Sequence, residues 1–168
     1  MTSLLLYLLD ANVFMEAARR YYAFDIAPRF WEALTEQATN GRVQSIDRVK
    51  AEIDRGRDAL KDWANGNFHG WFASTDEDDV IDSYRQIMSW AYGQSQFTAA
   101  AKAEFARQEN ADAWLVAYAK AKGYLVVTDE LLDPNVKRRI PIPNVCDAFG
   151  VHYLGTFDML RALGVRLG

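Results

Sequence analysis

The most informative stretch of the sequence is Leu4-Leu5-Leu6-Tyr7-Leu8-Leu9-Asp10-Ala11-Asn12. A continuous apolar run of this kind is typical of a strand buried on both faces, as in a parallel sheet. Asp10 and Asn12 then follow at the point where the chain must leave the sheet. Their side chains either belong to a site or cap the following helix, because both residue types are good N-caps.

A second apolar run has the same form. Tyr124–Val127 is followed directly by Thr128, Asp129 and Glu130. Sites in open α/β sheets form at the carboxyl ends of the strands. Two strands of one parallel sheet therefore bring acidic groups to a single edge, and this coincidence favours a functional site.

The segments around these two strands alternate between helical and strand-like patterns. Apolar residues recur at helical spacing in three segments, Pro28–Ala38, Asp47–Ala64 and Ala111–Ala121. We predict short strands at Val43–Ser45 and Val151–Leu154, a helix stop at Gly123, and a last helix capped by Thr156. The densest acidic stretch, Thr75–Asp82, predicts a loop and a first helical turn, with a metal site as the alternative. The alternation indicates an α/β sandwich.

Composition limits the class of protein. The 168 residues, half of them hydrophobic, predict one domain over residues 1–168. No apolar run approaches the roughly 20 residues that span a bilayer, and the start of the chain does not have the form of a leader peptide. Cys146 is the only cysteine, so we expect a cytoplasmic protein without an internal disulfide.

The charge of the chain is acidic, with a net charge of -4 and a pI near 5.2. This balance disfavours a protein that coats nucleic acid through bulk electrostatics alone. It remains compatible with a nuclease, because a carboxylate cluster with bound cations reverses the local sign where a phosphate must approach.

Two further acids are candidates for the same edge. Asp112 opens the helix that leads into the second long strand, although an acid in the first turn also stabilises a helix by itself. Glu52 comes seven residues after Ser45. If the short strand ends near Ser45, Glu52 lies about two helical turns further on and can point at this edge.

Several carboxylates that converge repel one another, and a hard divalent cation relieves that repulsion. The chain has no cysteine pair and only two histidines, His69 and His152, so oxygen ligands favour Mg²⁺ or Mn²⁺ over zinc. Such ions activate a water for in-line attack on phosphorus. The chemistry needs no covalent nucleophile.

At these residues the chain resembles the PIN-domain ribonucleases. Their pattern is an early strand-ending Asp with Asn or Ser two residues later, a mid-chain Glu, an Asp that opens a helix, and Thr-x-Asp after a strand. The residues that match in order are Asp10, Asn12, Glu52, Asp112 and Thr128. The resemblance implies a three-layer α/β/α sandwich with a central, mostly parallel sheet.

Longer blocks resemble, more narrowly, a PIN-like family formerly described as a domain of unknown function. These blocks are residues 10–14, 20–25, 30–31, 111–119 and 137–146, and together they span nearly the whole chain. The resemblance implies the toxin of a type II toxin-antitoxin pair, which cuts RNA with Mg²⁺ or Mn²⁺ and is inhibited by an antitoxin. It also implies a homodimer.

The chain departs from the general PIN pattern at the last acidic position. Glu130 stands where the pattern has Asp, and Asp129 occupies the variable place, so either residue is a candidate for the fourth ligand. The site implied by the resemblance comprises Asp10, Glu52, Asp112 and Glu130 as catalytic and metal-binding residues, Asp129 as a further metal ligand, and Asn12 and Thr128 in support.

Basic and aromatic residues flank the acidic segments. The basic residues that could hold substrate phosphates are Arg19, Arg20, Arg29, Lys137, Arg138 and Arg139. The aromatic residues that could stack on bases are Tyr21, Tyr22, Phe24, Phe30 and Trp31. The alternatives are ordinary surface cations for the first group and a core or a partner interface for the second.

Two other functions compete with a nuclease. A phosphatase of the haloacid-dehalogenase type also begins with a strand ending in Asp, but it needs a second Asp where this chain has Asn12. The other rival is a PIN-like fold that has lost catalysis and binds a protein or RNA. Glu130 is the residue that keeps this rival open.

Overall fold

A computed structural model describes residues 5–168 of the chain. Its centre is a sheet of five parallel strands in the order β3-β2-β1-β4-β5. The strands are β1 (Tyr7–Leu9), β2 (Val43–Ile46), β3 (Phe72–Ala73), β4 (Leu125–Val127) and β5 (Tyr153–Leu154). Strand order runs outward from β1 in both directions, and right-handed crossovers therefore place helices on both faces. This architecture confirms the predicted α/β fold with a central parallel sheet.

Nine α-helices flank the sheet in the part of the chain that the structure describes. They are α1 (Ala11–Glu16), α2 (Pro28–Thr39), α3 (Asp47–Asp54), α4 (Ala59–Trp63), α5 (Asp78–Gly93), α6 (Ala99–Phe105), α7 (Asp112–Lys122), α8 (Ile142–Phe149) and α9 (Thr156–Leu163). Single π-helical turns continue α1 over Ala17–Tyr21 and α4 over Ala64–Phe68, and a 3₁₀ turn follows at His69–Trp71. None of the helices within residues 5–168 is long and apolar enough to cross a membrane.

Most predicted elements are confirmed, with changed bounds. The first strand begins at Tyr7, and Leu4 lies outside the described residues. Gly123 ends α7 with a φ of 76°, a conformation that favours glycine. The predicted strand at Val151–Leu154 shortens to β5. The two-residue strand β3 was not predicted, because two residues give no periodicity.

The prediction of one helix over Asp47–Ala64 is wrong. The helix ends at Asp54, and α4 begins only at Ala59. Gly56 lies in the break, where its backbone freedom disfavours a helix. Asp58 is extended, with a φ of -111° and a ψ of -176°, and precedes the first residue of α4. The helix is therefore interrupted near Gly56, although the apolar residues on both sides keep helical spacing.

Strand register brings the carboxyl ends of the central strands to one level. Leu9 pairs with Val127 across β1 and β4. The Asp10 backbone N–H donates to the Val127 carbonyl at 3.0 Å, which extends this pairing by one residue. On the other side, the buried Ser45 hydroxyl donates to the Leu9 carbonyl at 2.7 Å. Residues that follow these strands therefore lie together at one edge.

Most of the aromatic residues considered as base-stacking candidates belong to the core. Phe30 and Trp31 are buried in α2. The Tyr22 ring stacks on Phe30 with centroids 4.4 Å apart, and Phe24 stacks on Trp31 at 4.1 Å. The core interpretation is thus confirmed for these four residues. Tyr21 alone is exposed.

The acidic stretch Thr75–Asp82 takes the structural role predicted for it. α5 begins at Asp78, and the Lys122 ammonium at the end of α7 lies 2.7 Å from the Glu77 carboxylate and 3.1 Å from that of Asp79. These acids therefore fasten two helices to each other.

We predict that Ser45→Ala lowers the free energy of unfolding by about 1 kcal/mol, because it removes a buried hydrogen bond that joins β2 to β1. Urea denaturation measures the change. Ser89→Ala, an exposed serine in α5, is the matched control and should change little. Equal effects in the two variants would contradict the role given to Ser45.

Candidate functional site

Asp10 is the centre of the acidic edge. Asp10 is only 2% exposed, and it occupies the position just before α1. The carboxylate makes no capping hydrogen bond to that helix. Instead it accepts a hydrogen bond of 3.0 Å from the Thr128 hydroxyl, which comes from the neighbouring strand. The Asp10 carboxylate therefore faces the edge of the sheet, where the residue that follows β4 holds it.

Thr128 joins two of the candidate acids. Its hydroxyl donates to Asp10 and accepts a hydrogen bond of 3.2 Å from the Glu130 backbone N–H. The Glu130 carboxylate in turn accepts a hydrogen bond of 3.1 Å from the backbone N–H of Ile142, the first residue of α8. The positive end of that helix favours a carboxylate at this place.

Glu52 and Asp112 approach the edge from two helices. Glu52 lies in α3, as predicted, and its carboxylate accepts a hydrogen bond of 3.1 Å from the Ala111 backbone N–H. Asp112 is the first residue of α7 and is half-buried. The start of α7 thus connects the two acids, although 60 positions separate them in the sequence.

The charges of these acids act on one another. Burial, followed by the neighbouring charge of Glu130, raises the pKa of Asp10 to about 7, and the charge of Glu52 adds to this. Burial also raises the pKa of Asp112 well above its ordinary value, with the charges of Asp10, Glu130 and Glu52 adding to the effect. Burial raises the pKa of Glu52 as well. The structure therefore brings four of the predicted acids into one electrostatically coupled group.

Asp129 takes a different position from these four. Its carboxylate accepts hydrogen bonds from the Thr156 backbone N–H at 2.8 Å and from the Thr156 hydroxyl at 2.6 Å. The prediction that Thr156 caps the last helix is wrong, because Thr156 is the first helical residue and Asp129 supplies the oxygen at the start of α9. Asp129 is held at a helix start, away from the coupled group.

Within residues 5–168, no three Asp, Glu, His or Cys side chains are already close enough together to hold one metal ion. The donor set of the acidic edge nevertheless consists of carboxylate oxygens, which suit Mg²⁺ or Mn²⁺. Mg²⁺ is commonly bound by one or two carboxylates, with waters as its other ligands.

A cleft of about 640 Å³ opens beside the acidic edge. Its walls include Asn12, Arg20, Tyr21, Asp129, Glu130, Arg139 and Phe157. The Arg139 guanidinium lies 3.6 Å from the Glu130 carboxylate, and that of Arg20 lies 3.3 Å from Glu16. The exposed side chain of Asn12 lines this cleft.

The other basic candidates do not line the cleft. Arg19 lies 4.0 Å from Asp58, and Arg29 forms a 2.8 Å ion pair with Glu36 on α2. Lys137 and Arg138 are exposed in the segment before α8. The structure thus separates Arg20 and Arg139 from the rest of the basic group.

Sequence reasoning missed several residues of this region. Phe157, Leu131 and Thr156 line the cleft, yet none of them was among the predicted site residues. An exposed aromatic residue in the first turn of a helix was the available signal for Phe157. Leu131 had no comparable signal.

The family profile described as "Domain of unknown function (DUF4411)" matches residues 7–167. The chain belongs to this family. No curated protein matches the sequence.

The fold of this DUF4411 protein is similar to those of several solved structures. FitAcB from Neisseria gonorrhoeae aligns with a TM-score of 0.53 and 18% identity, over 89% of this chain and 96% of that chain. FitAB bound to the IR36 DNA fragment aligns at 0.52 and 18%, over 89% and 94%. VapBC2 from Rickettsia felis, bound to a DNA fragment from its promoter, aligns at 0.53 and 14%, over 90% and 98%. Because the sequence identities are this low, the structural likeness shows the fold alone, which is PIN-like.

We predict that Asp10→Asn stabilises the metal-free DUF4411 protein at pH 8. The folded pKa of about 7 exceeds the unfolded value of about 3.9, so folding takes up a proton between these values and stability falls as pH rises through them. The variant avoids this loss, which is about 4 kcal/mol at pH 8 and little near pH 4. Urea denaturation in chelator measures it.

The exposed residue Asp25 gives the matched control for this experiment. Asp25→Asn, which removes an exposed carboxylate, should not raise the stability at pH 8 as Asp10→Asn does. A wild-type stability that stays constant between pH 4 and pH 8, with no gain in Asp10→Asn, would contradict a destabilising effect of the ionised Asp10 side chain.

We also predict that Gly155→Ala destabilises the protein by about 1 kcal/mol. An added Cβ would meet the Asp129 Oδ1 atom at 3.0 Å, which forces the carboxylate away from the start of α9. Gly93→Ala, where a Cβ would meet nothing within 4 Å, is the control. Thermal unfolding compares the two variants. An unchanged Tm in Gly155→Ala would argue against a stabilising role for the Asp129 carboxylate at the start of α9.

Proposed function

We propose that this DUF4411 protein is an endoribonuclease that uses Mg²⁺ or Mn²⁺ to hydrolyse RNA phosphodiester bonds. The observation that supports the proposal is the convergence of Asp10, Glu52, Asp112 and Glu130 at the carboxyl edge of the sheet. Burial, together with their mutual repulsion, raises the pKa of Asp10 and Asp112. A group of carboxylates kept together at such a cost is typical of a functional site.

The four coupled carboxylates are the residues that would hold the ion. Oxygen ligands of this kind fit a hard divalent cation, and the positive charge would offset their repulsion. When bound, such an ion supplies the charge that activates a water and neutralises the leaving oxygen.

The chain's own residues would hold this group in place. Thr128 fixes the orientation of Asp10, and the first backbone N–H groups of two helices fix Glu52 and Glu130. We propose Glu130 as the fourth acid, because Asp129 is already engaged by Thr156. Arg139 lies close enough to the edge to contact a substrate phosphate.

The biological role that we propose is the toxin of a type II toxin-antitoxin pair, inhibited by a cognate antitoxin. The resemblance to PIN-like toxins supports this role, and the fold is shared over most of the chain with FitAB and VapBC2, each solved with a bound DNA fragment. A homodimer is part of the same proposal, on the basis of the family resemblance. A neighbouring gene for a small antitoxin would support this role.

A binding module without catalysis is the second candidate. It is favoured by the distance between the acids, since no three are already grouped tightly enough for an ion within the described residues. The phosphatase alternative is weaker, because Asn12 provides no second carboxylate. Cleavage and metal binding separate the two remaining functions.

Cleavage is tested by incubating the protein with labelled transfer RNA and single-stranded RNA in Mn²⁺, Mg²⁺ or chelator. We expect metal-dependent cleavage that falls at least about 100-fold in Asp10→Asn and in Asp112→Asn, because each loses a ligand. Asp25→Asn is the control and should cleave normally. Metal binding without cleavage would favour the binding module, and cleavage unchanged in both site variants would refute the proposed site.

Metal binding itself is tested by the rise in Tm on addition of Mn²⁺. We expect a concentration-dependent rise in the wild type that is lost in Glu130→Gln but kept in Asp129→Asn, although Asp129→Asn starts from a lower Tm. The reverse pattern would make Asp129 the fourth ligand. A Tm that does not respond to either ion in the wild type would argue against a metal site.

A further inference from the structure

The cleft beside the acidic edge contains two aromatic side chains that the proposed chemistry does not use. Tyr21 is 62% exposed and Phe157 is 55% exposed, and both line this cleft. Tyr21 ends the π-helical turn after α1, whereas Phe157 lies in the first turn of α9. Segments from opposite ends of the chain thus place aromatic rings around one opening.

Neighbouring residues anchor the backbone next to each ring. The Tyr22 ring packs on Phe30, and the Tyr22 carbonyl accepts a hydrogen bond of 2.6 Å from the Trp31 indole N–H. This contact fixes the backbone directly after Tyr21. Thr156, which precedes Phe157, is buried and held by Asp129. The exposed rings are therefore attached to well-anchored backbone.

The same cleft contains charged residues of both signs, because Glu16, Asp129 and Glu130 line it beside two arginines. Arg20 and Arg139 both line it, and Arg139 lies 3.6 Å from Glu130. Guanidinium groups bind phosphate oxygens, and aromatic rings stack on bases of any sequence. A volume of about 640 Å³ falls within the ordinary range for small-ligand pockets, roughly 300 to 1,000 Å³.

We infer that this cleft binds an unpaired nucleotide of the RNA next to the phosphate that is cleaved. The base lies against Tyr21 and Phe157, and Arg20 and Arg139 contact its flanking phosphates. The inference rests on the proposed nuclease function and specifies its substrate class as single-stranded RNA. Bases in a duplex are already stacked and paired, so their faces are closed to these rings.

A protein partner is the competing occupant, because exposed aromatic residues are also common at protein interfaces. The position of the cleft favours the nucleotide. It is continuous with the acidic edge through Glu130, and its two arginines can contact a phosphate chain once a bound cation offsets the neighbouring carboxylates. The experiment below makes the protein partner one of its outcomes.

The first measurement is the binding of a short, labelled single-stranded RNA in chelator, where metal-dependent cleavage does not interfere. We expect Tyr21→Ala and Phe157→Ala each to weaken binding about 5- to 100-fold, which corresponds to the loss of one stacked base. Tyr21→Phe keeps the ring and should bind normally. Tyr92→Ala, which removes an exposed ring from α5 (58% exposed), is the control. The same RNA annealed to its complement should bind much more weakly.

The second measurement scans the RNA with one abasic nucleotide at a time. In the wild type, one position should lose binding by a factor similar to that of the ring variants. In the Tyr21→Ala/Phe157→Ala double variant the same abasic nucleotide should cost little, because its stacking partner is already gone. This dependence separates stacking from a merely structural effect of the substitutions.

Two results would overturn the inference. One is an abasic penalty that is the same in the wild type and the double variant, and the other is equal binding of single-stranded and duplex RNA. Either would leave the rings as a protein contact. Metal-dependent cleavage with no effect of the ring variants would refute the subsite alone. Ring-dependent binding that shows the abasic effect, without cleavage in any metal, would refute the nuclease and support the nucleotide site.

Discussion

The in-register parallel pairing of β1 with β4 is the constraint on which the acidic edge depends. Because Leu9 pairs with Val127, the chain leaves both strands at the same level. Asp10 and Thr128 therefore meet, and the Thr128 hydroxyl reaches the Asp10 carboxylate at 3.0 Å. A slip of one residue in either strand would turn the two side chains to opposite faces of the sheet.

Backbone N–H groups at helix N-termini hold the remaining acids near Asp10 and Thr128. The backbone N–H groups of Ala111, Ile142 and Thr156 donate to Glu52, Glu130 and Asp129, respectively. Each helix start satisfies one of its free N–H groups in this way and stabilises a negative charge. The hydrogen bond that satisfies a backbone N–H group at each helix start thus also fixes the direction of a carboxylate.

The grouping of these carboxylates at the edge of the sheet destabilises the protein in the absence of a bound cation. Asp10 is buried beside other acids, and its pKa of about 7 expresses the cost of ionising it there. Structural needs alone would be met by an uncharged side chain at this position, since an amide also accepts a hydrogen bond from Thr128. The cation that we propose for this edge would offset the cost of ionising Asp10. The cleft with Arg20 and Arg139 lies beside this edge.

The sequence by itself determined the features that depend on neighbours along the chain: the strands β1 and β4, the acid at the start of α7 and the helix stop at Gly123. It also identified four acids that the fold brings together. It could not separate Asp129 from Glu130, or Tyr21 from Tyr22, because adjacent residues have almost the same local pattern. Tertiary structure made those choices through contacts with distant segments, such as Thr156, 27 positions from Asp129. The short strand β3 likewise exists through its pairing with β2.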